Sequence, residues 1–79
     1  MLSRLGCHLC EAVEEEIRST KGVAFDLVVI DIDVDPMLKD KYSVRVPVVT
    51  VDGKEVFEAK MMDTDGRWRK RLLSLMGGL

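Results

Sequence analysis

The residues with chemistry to offer are Cys7 and Cys10, in the run Arg4-Leu5-Gly6-Cys7-His8-Leu9-Cys10. They are the only cysteines of the chain. Two cysteines this close are no disulfide framework; in a reducing compartment such a pair reads as redox-active or metal-binding. The apolar spacing that follows puts both at the start of a helix. There the unsatisfied N–H groups and the positive end of the helix dipole favour the thiolate, the nucleophilic form. Arg4 and a protonated His8 add positive charge. Cys7, nearer the helix end, is then the exposed attacker. Cys10, one turn further in, attacks the mixed disulfide and releases the substrate.

Other chemistries fit the sequence less well. A zinc site needs about four ligands, and His8 is the only histidine. Haem attachment needs a histidine directly after the second cysteine, where Glu11 stands. Asp31, Asp33 and Asp35 alternate, but a calcium loop wants glycine after the third aspartate and glutamate at its end, where Pro36 and Tyr42 sit. These aspartates read as a solvated strand end and a helix cap. Arg67, Arg69, Lys70 and Arg71 beside Trp68 read as a solvated helix face whose charges complement the C-terminal dipole. Met61, Met62 and Met76 read as core filler.

The elements that position the pair follow from patterning. Residues 2–4 are a very short strand, and Gly6 allows a turn. Leu9, Ala12, Val13 and Ile17 make one helical face, with Glu14, Glu15 and Arg18 opposite. The helix is expected from about Cys7 to Thr20, ending before Gly22. Phe25 to Ile32 reads as a strand whose continuous apolar run implies cover on both faces. Asp35-Pro36 starts a short helix with Leu38 and Tyr42 inside. Val48 to Val51 and Lys54 to Glu58 flank the turn signal Asp52-Gly53. Asp63 to Asp65 cap a last helix with the inner stripe Trp68, Leu72, Leu75 and Met76. The order β-α-β-α-β-β-α implies a parallel first pair, an added hairpin and a three-layer α/β domain.

With 79 residues, one domain over 1–79 is expected. The hydrophobic fraction of 47% and charged fraction of 33% suit a folded globular domain. A formal net charge of −2 gives no global field to recruit nucleic acid or an anionic membrane. Charged residues interrupt every apolar stretch before the roughly 20 residues needed to span a bilayer. The residues after Met1 lack the apolar core of a secretory signal. The expected compartment is the cytoplasm and the expected state a monomer.

Gly6 to Glu11 (Gly-Cys-His-Leu-Cys-Glu), Arg45 to Val48 (Arg-Val-Pro-Val) and the order of elements together resemble the glutaredoxins and their thioredoxin-fold relatives, over nearly the whole chain. Pro47 follows Cys7 by forty residues, as in that family. The resemblance implies a thioredoxin-like, glutaredoxin-type fold and thiol–disulfide exchange on a protein or low-molecular-weight disulfide. The exchange needs no organic cofactor, and the resemblance implies glutathione as the reductant. It implies a cis Val46–Pro47 bond packed against the cysteines, with Val46 pairing with bound substrate like an added strand. Arg4 matches the basic residue three positions before the first cysteine, and Asp63 or Asp65 is placed to meet the glutathione amino group. Two departures stand out. Phe57-Glu58 occupy the place of a Gly-Gly pair that admits glutathione. Only six residues precede Cys7, where a strand of about five residues plus a turn is wanted, so the first strand is very short or the natural chain begins upstream of Met1. The rival reading is a non-catalytic thioredoxin-fold binding module, or a carrier of zinc or an iron–sulfur cluster, sharing the cysteines across a dimer.

Overall fold

The computed structural model describes residues 1–20 and 26–77. Four strands form one sheet: β1 (Leu2–Ser3), β2 (Ile30–Asp31), β3 (Val48–Val51) and β4 (Lys54–Glu58). The helices are α1 (His8–Ser19), α2 (Pro36–Tyr42) and α3 (Trp68–Leu75), with 3-10 turns at Ile32–Val34 and Ala59–Met61. The strands lie in the order β2-β1-β3-β4. β1 is parallel to β2 and antiparallel to β3, and β3 is antiparallel to β4.

Helix α1 begins where the sequence places it, with Cys7 as its N-cap and Thr20 as its C-cap. Gly22 lies outside the described residues. Cys10, Val13 and Ile17 form the buried line. Leu9, expected on that face, is 50% exposed. Each residue turns a helix by about 100°. The spacing of Cys10, Val13 and Ile17 centres the inner face one residue later than the Leu9 pattern implies, so a sulfur fills the first buried position.

The hairpin follows its local chemistry. Asp52 and Gly53 both have positive φ, 52° and 80°, the pairing a type I′ turn requires. Successive strand residues face opposite sides of a sheet. Val48 and Val49 are 0% and 2% exposed, so both faces of the sheet are covered at β3. Phe57, paired with Val49, is equally buried and meets Trp68 of α3 with ring centroids 6.2 Å apart. Burying a side chain of this size contributes roughly 1.5–3 kcal/mol. Helix α3 also packs on α1, and Arg69, stacked 4.5 Å above the Trp68 ring, pairs with Glu16 at 3.4 Å. Trp68 and Leu72 are buried as expected, whereas Leu75 is exposed at the end of the helix.

The second strand departs most from expectation. Its pairing covers only Ile30 and Asp31, and Phe25 lies outside the described residues. Val28, Val29 and Ile30 are exposed rather than covered on both faces. β1 offers only Leu2 and Ser3 to the parallel ladder, and β2 lies at the edge of the sheet. Beyond it, Asp31 Oδ1 accepts from the Asp33 N–H and Asp35 Oδ1 from the Met37 N–H, both at 2.9 Å, capping the 3-10 turn and α2.

Candidate active site

Cys7 and Cys10 are joined in a disulfide, their Cα atoms 5.2 Å apart. Gly6, with φ of 76°, turns the chain out of β1 so that Cys7 becomes the N-cap of α1. That conformation favours glycine. The Cys10 backbone N–H donates to Cys7 Sγ at 3.1 Å. A sulfur thus takes the place of the oxygen of an N-cap serine or aspartate and receives one of the N–H groups a helix start leaves unpaired. The two sulfurs differ in access: Cys10 is 1% exposed, whereas Cys7 is only partly buried against the core. His8, between them, points to solvent and lies 3.6 Å from Glu11.

Arg4 does not stand as a free charge beside Cys7. Its Nε and Nη2 donate to the two oxygens of Asp33 at 3.1 and 2.6 Å, and its Nη1 donates to the Ser43 carbonyl at 3.3 Å. The fork holds Asp33 below the usual carboxylate range and raises Arg4. The β1–β2 register explains the pairing. Leu2 sits opposite Ile30 and Ser3 opposite Asp31, which brings Arg4 level with the turn carrying Asp33.

Val46 and Pro47 are buried at the entry to β3, and the peptide bond between them is cis. The Val46 N–H donates to the Tyr42 carbonyl at 3.1 Å. The residue before them, Arg45, is held by a cluster that depends on an irregularity in β4. Val48 pairs with Glu58 and Val49 with Phe57, but Thr50 pairs with Glu55 and Val51 with Lys54. Val56 is therefore an extra residue, a β-bulge. Paired residues share a face, and Thr50 shares the face of Val48, so the bulge brings Glu55 and Glu58 to one side. A regular strand would put them on opposite sides. Arg45 Nη2 donates to Glu55 Oε1 and, at 3.1 Å, to Glu58 Oε2. The Tyr42 hydroxyl donates to Glu55 Oε2 at 2.8 Å, and the Arg45 guanidinium lies 5.0 Å from the centre of the Tyr42 ring. Hydrogen bonds from Tyr42 and Arg45 hold Glu55 below its usual range.

A family model described as a glutaredoxin-like domain (DUF836) matches residues 1–72. The chain belongs to that family. Uncharacterized proteins of Mycobacterium tuberculosis and Mycobacterium bovis are each 36% identical to it over 61 residues, 70% of this chain and 63% of theirs. The match thus spans less than two thirds of the relatives' own length. No solved structure matches the chain.

In this glutaredoxin-like domain the remaining sequence candidates lie apart from the disulfide in their contacts. Asp63 Oδ1 accepts from the N–H groups of Arg67 and Trp68, at 2.9 and 3.4 Å, and so holds the turn into α3. Asp65 is exposed, with Arg67 at 3.8 Å. Of the two residues at the place of the Gly-Gly pair, Phe57 faces the core against Trp68 and Glu58 faces Arg45. Asp33, Tyr42, Arg45 and Glu55 gained no site role from the sequence. The Arg-Val-Pro-Val run was a signal for Arg45, but its partners depend on a bulge that no local pattern displays. Among the described residues, no group of three or more His, Cys, Asp or Glu side chains is placed to hold a metal ion, and no helix is long and apolar enough to cross a membrane.

Proposed function

We propose that this domain is a thiol–disulfide oxidoreductase with a thioredoxin-like, three-layer fold, cycling through Cys7 and Cys10. The observation that carries the reading is the Cys10 N–H directed at Cys7 Sγ from the first turn of α1. A donor already in place stabilises the thiolate of the reduced pair, and the greater exposure of Cys7 makes it the attacker.

In the reducing direction the Cys7 thiolate attacks one sulfur of a substrate disulfide. The substrate S–S bond breaks, a mixed disulfide forms on Cys7, and the second substrate sulfur leaves as a thiolate that takes up a proton. Cys10, having lost its proton, attacks Cys7 Sγ. The first substrate sulfur leaves as a thiol and the Cys7–Cys10 disulfide forms. Two electrons have passed from the protein dithiol to the substrate, and an external thiol returns them by the reverse steps. Val46 and Pro47 align the substrate, and the Arg45 cluster holds the segment that carries them. The resemblance supports glutathione as the reductant; the substrate is a protein or low-molecular-weight disulfide, the exchange needs no organic cofactor, and the domain works as a monomer in the cytoplasm. Glu58 replaces a glycine of the family pattern, and its carboxylate is paired with Arg45.

Trapping tests the order of attack. Cys10→Ser accumulates a mixed disulfide on Cys7 when treated with a disulfide substrate, and Cys7→Ser loses exchange. Mass spectrometry of the trapped species reads both. Trapping on Cys10 in the Cys7 variant, with none in the other, would reverse the assignment.

A further inference from the structure

The cation nearest to the disulfide along the chain is already occupied by a carboxylate of the protein itself. Arg4 lies three residues before Cys7, so their Cα atoms are at most about 11 Å apart even with the chain fully extended, and the turn at Gly6 shortens that reach. An arginine beside a reactive sulfur would ordinarily recruit anionic substrates, because its planar fork accepts a carboxylate through two parallel hydrogen bonds. Here both positions of the fork are filled by Asp33, and the remaining nitrogen, Nη1, donates to the Ser43 carbonyl. The pair is partly open to solvent, with side-chain exposures of 30% for Arg4 and 37% for Asp33, so a charged solute can approach it.

We propose that Asp33 is a specificity determinant: it holds the Arg4 fork closed to anionic disulfides and leaves the Cys7–Cys10 pair to uncharged polypeptide disulfides with apolar flanks. This rests on the exchange activity proposed above. The groups facing the fork are accounted for. Asp31 adds a second negative charge near Arg4, and Lys39 lies on the Asp33 side. Arg45 is likewise engaged by Glu55 and Glu58. The surface is not merely neutral. The Arg4–Ser43 hydrogen bond ties the chain just before Leu5 to the chain just before Val44, and these residues are 88% and 92% exposed. Leu9, between the cysteines, is 50% exposed. Three apolar side chains and a neutralised arginine suit a polypeptide segment with apolar residues around its disulfide. They do not suit a small dicarboxylate.

The test uses the full chain, reduced with dithiothreitol and freed of it. Its rate of oxidation is measured with oxidised glutathione, with neutral bis(2-hydroxyethyl) disulfide, and with a disulfide-linked leucine-containing peptide, each at low and high salt. Asp33→Asn should raise the second-order rate constant for oxidised glutathione about two- to fivefold at low salt, the scale of one exposed charge interaction. The gain should vanish at high salt, with the neutral disulfide unchanged. Adding Arg4→Gln to that variant should remove the gain. Arg4→Gln alone bares the Asp33 carboxylate and should lower the ratio of anionic to neutral rates by a similar factor at low salt, whereas the double variant, with neither charge, should keep the wild-type ratio. The proposal is overturned if the double variant falls below the wild-type ratio, if Asp33→Asn changes both small disulfides equally, or if its gain survives loss of Arg4. It is also overturned if the wild-type protein prefers oxidised glutathione to the leucine peptide. A wild-type protein that reacts with none of the three disulfides removes the exchange reading itself, a result distinct from a change in selectivity.

Discussion

The two sides of the sheet are held by different means. On the β3–β4 side, Val48, Val49 and Phe57 are almost wholly buried, the turn residues suit their backbone angles, and the Val56 bulge brings two carboxylates to one arginine. On the β1–β2 side each strand contributes two residues to the ladder, and Val28, Val29 and Ile30 remain exposed. There the chain beyond β1 is fastened mainly by polar ties, Arg4 to Asp33 and to the Ser43 carbonyl. The difference teaches where rigidity in this domain originates. Packing and register fix the hairpin, together with the Val46–Pro47 segment leading into it. The Cys7 turn leaves the thinner side and is held by α1, whose buried line of Cys10, Val13 and Ile17 anchors it in the same core.

The largest expected effect breaks the better-packed side. Phe57→Ala should cost about 3–5 kcal/mol, as for other large aromatic truncations in cores, whereas Val28→Ala at the exposed edge should stay within about 0.5 kcal/mol. Urea unfolding of both variants measures the contrast. Comparable losses at the two positions would mean that the β2 edge is as firmly packed as the hairpin.

A smaller effect compares the two arginine clamps through pH. Glu55 and Asp33 both titrate below the usual carboxylate range, through hydrogen bonds from Tyr42 and Arg45 in the first case and from Arg4 in the second. A carboxylate with a lowered folded-state pKa stabilises the fold at pH above its unfolded value, and that contribution is lost as pH falls through the lowered one. Wild type should therefore exceed Glu55→Gln in Tm at neutral pH, and the two should converge in acid. Asp33→Asn should converge with wild type in the same way, since the two hydrogen bonds from Arg4 to Asp33 are lost as pH falls through the lowered value. A Tm gap for Glu55→Gln that persists unchanged at low pH would show that its charge state contributes nothing to stability.

What the sequence revealed divides along the same line. Helix α1, the Asp52-Gly53 hairpin and the placement of the cysteine pair at a helix head were legible, because periodicity, turn chemistry and capping are local. The mixed α/β order followed from them. The short β2 was not legible: its apolar run looks like a covered strand, whereas Val28, Val29 and Ile30 are exposed at the sheet edge. Leu9 and Cys10 exchanged places because both fit an apolar face, and the packing of α1 chose the sulfur. The partners of Arg4 and Arg45 depend on strand register, in one case across 29 residues, in the other through one extra residue in β4. The face Phe57 takes was not legible for the same reason, since pairing fixes it.

The central claim is that Cys7 and Cys10 form a reversible two-electron couple. The most direct measurement equilibrates the protein anaerobically in thiol–disulfide buffers of graded potential, approached from both the reduced and the oxidised protein. The pair is then alkylated and counted by mass spectrometry. A single transition with the slope of a two-electron couple, the same from both directions and absent in Cys7→Ser and Cys10→Ser, is the predicted result. A pair that stays reduced under every buffer, or a disulfide that no thiol buffer opens, would contradict a cycling role and leave Cys7–Cys10 without the chemistry assigned to it.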